Sequence, residues 1–196
     1  PAQLPLDAVL AQLKPWLEDE AAAKVGQHIK YDTHVLANHG ITVRGYRHDT
    51  LLQSYVLEAH LPHGLEKLAE RHLGRKGLSY EDLCGKGANQ IPFAQVEVDR
   101  AAEYSGEDSE MTLAVHQVLW PQLEAEPGLR FVYEKIEMPT SALLARIERH
   151  GVLIDAALLA TQSRELGERP RLEARLHRFV LAAHARHHHL RIAALL

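Results

Sequence analysis

The stretch from about Val98 to Glu124 reads as one long helix, and within it Met111, Val115 and Leu119 recur at steps of four. That spacing draws a single apolar stripe along the helix, which has to be buried against other elements. The rest of the chain must therefore supply a core around it. Tyr104 and Asp108, also four residues apart, sit on the same face near the start, so a phenol and a carboxylate point the same way where the buried stripe ends. A carboxylate in such a place is costly unless something pairs with it, and a divalent cation or a substrate proton are suitable partners. The bland alternative is an ordinary helix start with a snorkelling tyrosine and a solvated aspartate, and the pentad Y-S-G-E-D alone leaves both readings open.

Other helices flank this one. Leu6, Val9, Leu10, Leu13 and Leu17 mark an amphipathic helix in which Pro15 forces a kink or a restart. Glu20 and Lys24 have the spacing of a four-residue charge pair. Lys24 to Ile29 reads as a short strand, followed by a helix from Tyr31 to a stop at Gly40 with Asp32 in its first turn, where a plain capping role is the competing reading. Val43 to Arg47 reads as a second strand ending in His48 and Asp49, with Asp49 capping a helix through Leu51, Leu52, Tyr55 and Val56. His63 and Gly64 turn the chain into a helix through Leu65, Leu68, Ala69 and Leu73, stopped at Gly74. Ser79 and Asp82 have capping-box spacing. Gly128 opens a helix that Pro139 interrupts and Gly151 ends, and Asp155 caps a last one.

At 196 residues the chain can hold one sizeable core, or one domain plus the start of another. No apolar run has the length of a membrane span. The single cysteine, Cys84, excludes an internal disulfide and suits a reducing compartment, so a cytoplasmic location is expected. The net charge of −4 is uneven, because the segment from Arg164 onward carries seven arginines against three glutamates, leaving an acidic body and a basic tail. An acidic body is compatible with nucleic acid, since a cleft that holds metal ions against phosphate needs carboxylates. His184 with His187 or His188 has helical metal spacing but brings no carboxylate, so a solvated basic tail is the expectation there.

Several runs, in order and in register, resemble the 3'-5' proofreading exonuclease domain of family A bacterial DNA polymerases. They are K-V-G-Q-H-I-K-Y-D from Lys24, L-A-N-H-G-I from Leu36, H-D-T-L-L-Q-S-Y-V-L from His48, L-A-E-R from Leu68, G-K-G-A-N-Q from Gly85 and Y-S-G-E-D from Tyr104. The segment Ile136 to Asp155 resembles the one that joins this exonuclease to the polymerase thumb. The resemblance covers about residues 6 to 165 and implies an α/β fold of the ribonuclease-H-like type. It divides the chain into a partial exonuclease domain (1–127), linker helices with the start of a thumb (128–166) and an atypical Arg/His-rich tail (167–196).

The resemblance also implies an activity, the two-metal hydrolysis of 3'-terminal phosphodiesters of single-stranded or frayed DNA. Asp32 matches the acid of the family's second exonuclease motif, and Tyr104 with Asp108 match the Tyr and Asp of its third. Asp32 and Asp108 are then ligands of two divalent cations, Mg or Mn, because such hard ions take carboxylate oxygens and clamp the attacking and leaving oxygens from about 4 Å apart. Tyr104 orients the attacking water. Gln27, His28, Lys30, Tyr31 and His63 are the implied DNA contacts, with Tyr31 a stacking face and Lys30 a phosphate contact.

Two departures accompany the match: His28 stands where the family usually has Asn, and Pro62 where an Arg often precedes the histidine matched by His63. No strand carrying the family's Asp-x-Glu motif precedes Asp32, and no palm or fingers motif follows. The expectation is a fragment, mostly helical with a small residual sheet, whose activity is impaired and from which the polymerase domain is absent. Two other functions compete: a catalytically inactive structural remnant, and an HD-type metal phosphohydrolase suggested by His48-Asp49.

Overall fold

A computed structural model describes residues 3–168. The tail histidines named above lie outside that range. The chain divides into two compact units, Pro1–His150 and Gly151–Leu196. In the first, the elements run α1 (Leu6–Leu17), β1 (Lys24–Gly26), α2 (Ile29–Asn38), β2 (Tyr46–Asp49), α3 (Thr50–Glu58), α4 (Leu65–Leu73), α5 (Tyr80–Cys84), α6 (Val98–Ala125), α7 (Pro127–Val132) and α8 (Met138–His150). In the second, residues 156–168 are helical, and Asp155 Oδ1 accepts from Leu158 N at 2.9 Å as a cap.

The stripe on α6 organises the first unit as its spacing requires. Met111, Val115, Leu119 and Leu123 are all fully buried. Leu119 and Val115 form the core with Leu68 of α4, while Leu57, Leu65 and Leu73 pack around them. Local signals ended several helices where expected. Gly74, left-handed at φ 62, closes α4, and a reciprocal Ser79–Asp82 capping box opens α5.

The sheet differs from its sequence reading. It has two parallel strands, with Val25 opposite His48 and Gly26 opposite Asp49. The first strand stops three residues short of Ile29 because His28 turns left-handed, φ 58, and α2 begins at once. The second begins at Tyr46 rather than Val43. Gly45 is the reason: it is left-handed at φ 65, and a Cβ there would lie 2.5 Å from Ala22 O, so the chain kinks against the α1–β1 loop before pairing can start. The expected Glu20–Lys24 pair does not form. Lys24 is buried and gives its ammonium protons to Asp19 O at 2.9 Å and Ala22 O at 2.7 Å, with the Trp16 ring beneath it, while Glu20 meets Arg47. Burial of the lysine is tolerable because backbone carbonyls replace its water.

Pro139 does not break the path from α7 to α8. The chain widens into a π turn over Tyr133–Glu137, and the proline falls in the first turn of α8, where its missing N–H is not needed. The turn brings Tyr133 into the interior, and α8 then lies along α2. There Glu148 receives the Lys30 ammonium and sits 2.7 Å from His34 Nε2, and Arg149 donates to Asn38 Oδ1 at 2.6 Å. Lys30, His34 and Asn38 are one helical turn apart, so this is a continuous seam between the two helices. A cleft of about 490 Å³ with largely apolar walls, including Ile29, Ala37, Val43 and Met138, lies between them.

Candidate active site

The residues expected at the site come from two stretches of the chain. On α6, Tyr104 and Asp108 share a face as their spacing predicts, both half-buried. Burial raises the Asp108 carboxyl above the usual range, and Glu107 and Glu66 add to this while the Tyr104 hydroxyl opposes it. Burial and the Asp108 charge in turn push Tyr104 up to about 12. Like a free phenol, and still more firmly, it is protonated at neutral pH, so it can orient a water molecule but not deprotonate it. Phe93 lies against it, ring centroids 6.1 Å apart.

The second stretch lies where β1, α2 and β2 meet. Asp32 occupies the first turn of α2, its side chain reaching solvent, yet the surrounding protein raises its carboxyl above the ordinary value. His28 opposes that shift and Asp49 reinforces it. His28 and Tyr31 are exposed, rings 6.3 Å apart. Lys30 is engaged by Glu148. Gln27 donates to His63 O at 2.8 Å and receives the Thr50 hydroxyl. His63 is buried, with Nδ1 2.8 Å from Ser54 Oγ and its ring 3.7 Å from that of Tyr55. The charges acting on Asp32 are those of His28 and Asp49, and those acting on Asp108 are those of Glu107 on its own helix and of Glu66 on α4.

Sequence reasoning gave Asp49 the cap of α3, with an HD-type site as the competing reading, and the structure gives it more backbone partners. Its Oδ1 accepts from Leu51 N at 2.9 Å and from His28 N at 2.9 Å, and its Oδ2 accepts from Ile29 N at 3.1 Å. The local spacing Asp49–Leu51 was readable, whereas the bonds to His28 and Ile29 cross about twenty residues and carry no sequence signal. With its carboxylate committed to three backbone amides, the His48-Asp49 dipeptide is not arranged as an HD-type metal site. Tyr46 was missed as well: its hydroxyl is buried without a hydrogen-bond partner among the described residues, and burial with the Asp49 charge drives its pKa far up.

Asp32 and Asp108 offer the hard oxygen donors that Mg or Mn takes. Among the described residues, however, no group of three or more His, Cys, Asp or Glu side chains is placed to hold a metal ion. The two acids by themselves do not amount to a two-ion cage.

A raised carboxyl pKa means that the folded state holds the proton more tightly than the unfolded one. Stability from that proton is present at low pH and lost as pH rises through the folded value, so at neutral pH the ionised Asp108 works against folding. Asp108→Asn is expected to raise stability at pH 7 by about 0.5–1 kcal/mol, allowing for partial solvent screening. Thermal melts followed by circular dichroism test this, and a melting point below that of the parent would refute it.

The arrangement of a small parallel sheet among helices is found in solved structures too. The POL domain of Pol1 from M. smegmatis, described in complex with DNA primer-template and dNTP, superposes with a TM-score of 0.64 over 87% of this chain and 26% of that one, at 24% identity. That likeness concerns the fold. The sequence profile of the 3'-5' exonuclease family matches residues 1–124. DNA polymerase I of Pseudomonas aeruginosa is 51% identical over 172 residues, covering 86% of this chain and 19% of that protein, and DNA polymerase I of Rhizobium leguminosarum is 41% identical over 85% of this chain and 16% of that protein. The chain thus spans under a fifth of the length of these two curated relatives. It belongs to the 3'-5' exonuclease family of DNA polymerase I, and its mostly helical α/β architecture is the ribonuclease-H-like fold of that family. Among the described residues, no helix is long and apolar enough to cross a membrane.

Proposed function

We propose that this chain is the proofreading part of a DNA polymerase I-like protein, acting on single-stranded or frayed 3' ends of DNA in the cytoplasm. The observation that carries this reading is the pairing of Tyr104 with Asp108 on one face of α6, inside the segment that matches the exonuclease family, with the phenol held protonated beside a carboxyl of raised pKa. In the reaction, water adds to the terminal phosphorus, the bond to the neighbouring 3' oxygen breaks, and a nucleoside 5'-monophosphate leaves. Tyr104 orients the water. Two divalent cations, Mg or Mn, would neutralise charge on the phosphate, with Asp32 and Asp108 each giving carboxylate oxygens and the family's Asp-x-Glu strand providing the rest.

Of the proposed DNA contacts, His28 and Tyr31 present exposed rings for stacking. Lys30 reaches phosphate by exchanging its Glu148 partner, and Gln27 and His63 hold the loop that carries the others. Residues 128–166 lead towards a polymerase thumb, with 1–127 as the exonuclease part and 167–196 as a basic tail. The lone buried Cys84 supports a reducing compartment.

The test is digestion of a labelled single-stranded oligonucleotide by the chain with an Asp-x-Glu strand supplied ahead of residue 1. Digestion in Mg or Mn is expected, falling at least about a hundredfold in Asp108→Ala. An intact oligonucleotide in the supplemented chain removes the proposal and favours a structural remnant.

A further inference from the structure

The start of α2 depends on a residue to which the exonuclease reading gives no role. His28 takes a left-handed conformation, unusual for a residue with a Cβ, and its own side chain makes no cap for α2. The cap comes from Asp49 at the end of β2, fully buried and bonded to the amides of His28 and Ile29. The same carboxylate caps α3 through Leu51 N. Asp49 is itself fixed from behind, because its backbone N–H donates to the Tyr133 hydroxyl at 2.9 Å and it sits opposite Gly26 in the sheet, beside the Thr50 hydroxyl oxygen 3.2 Å from Gly26 O.

Asp32 lies three residues after Ile29. Successive residues on a helix are about 100° apart, so a start displaced by a single residue turns Asp32 by that angle about the helix axis. What fixes the first helical residue therefore fixes where the Asp32 carboxylate points. With its orphan amides answered by a rigid carboxylate from the neighbouring strand, α2 has one starting register.

From this geometry we infer that Asp49 is a positioning residue for Asp32: its carboxylate locks the His28 turn and the first turn of α2, and so aims the acid proposed to serve in 3'-5' hydrolysis. The inference rests on that proposed function for its purpose, and on the hydrogen bonds alone for its mechanism. It also explains why one buried charge serves two helices. Both helices leave the same strand ends, so one carboxylate orients the two elements relative to the sheet.

The test uses the full 196-residue chain. Asp49→Ser retains a short oxygen that can cap Leu51 N but cannot span to the amides of His28 and Ile29. Asp49→Asn is the second variant, keeping the shape and one accepting oxygen. Ser79→Ala, which removes the distant cap of α5, is the control for general loss of stability. Two readouts come from nuclear magnetic resonance. Amide exchange at Ile29 is expected to quicken at least about tenfold in Asp49→Ser, with Leu51 within about threefold of the parent. The χ1 couplings of Asp32 are expected to pass from a single rotamer to averaged values, and Ser79→Ala to leave both readouts unmoved.

Where Asp49→Ser does not fold, Asp49→Asn decides on the same two readouts. Unchanged Asp32 couplings and an unchanged Ile29 exchange rate in the folded variant overturn the inference. In the chain supplied with the Asp-x-Glu strand, kcat is further expected to fall at least about tenfold with KM for DNA within about threefold. A supplemented parent that digests nothing overturns the proposed function alone, because the coupling and exchange results stand apart from activity. Averaged couplings with undiminished kcat overturn the inference, since Asp32 would then not need to be aimed.

Discussion

Leu119→Ala is expected to remove about 3–5 kcal/mol of folding stability, enough to leave much of the population unfolded at 37 °C. Leu119 is fully buried on α6 and meets Leu68 of α4 and Val115 at the centre of the core, with Leu57, Leu65 and Leu73 packed around them. Truncation removes the transfer energy of the lost carbons and leaves a cavity that α3, α4 and α6 cannot all close at once, since each is also held elsewhere. The same change at Leu113, on the same helix but 47% exposed, is expected to stay within about 0.5 kcal/mol. Urea titration followed at 222 nm compares the two variants. A loss below about 1 kcal/mol in Leu119→Ala would mean that the α6 stripe is not where this unit stores its stability.

The second large effect is a loss of stability in mild acid, centred on His48. Its ring centroid lies 4.4 Å from those of both His116 and Trp120, with Tyr133 stacked farther out and Arg130 over the Trp120 ring. Burial, followed by the charge of His116, lowers its pKa to about 4. The unfolded chain protonates this histidine near 6.5, whereas the folded chain keeps it neutral down to about 4, so between these values the unfolded state binds more protons. The stabilisation is fully present above 6.5 and is lost as pH falls towards 4. After discounting for partial exposure of the ring, the loss is on the order of 1–2 kcal/mol. His116, also lowered by burial, adds to the same trend. In His48→Phe the slope of stability against pH between 6.5 and 4 is expected to flatten, measured by urea titrations at a series of pH values. An unchanged slope would place the acid sensitivity elsewhere, for instance in the carboxylates paired with Arg71 and Arg75.

Much of the local structure was legible because its causes lie within a few residues of each other. The α6 stripe, the glycine stop after α4, the Ser79–Asp82 box and the Asp49–Leu51 cap each depend on spacings of two to four residues, which the chain states directly. The strand limits were not legible. They depend on Gly45 meeting the carbonyl of Ala22 and on His28 adopting a left-handed turn that a distant carboxylate stabilises. Lys24 was read as the partner of Glu20 and Lys30 as a phosphate contact, and both found partners set by tertiary contact: backbone carbonyls for the first, Glu148 of α8 for the second.

The candidate site divides along the same line. Tyr104 and Asp108 needed only the period of one helix to share a face, and the motifs around Asp32 sufficed to relate the chain to its family. The raised carboxyl of each acid, the upward shift of the phenol and the double cap by Asp49 came from the folded molecule. Amino-acid order determined which elements form and which side chains ride on them, because periodicity and capping act over a single turn. Burial, proton affinity and the start of α2 were decided in three dimensions, because desolvation and a carboxylate arriving from another strand exist only once the elements have packed.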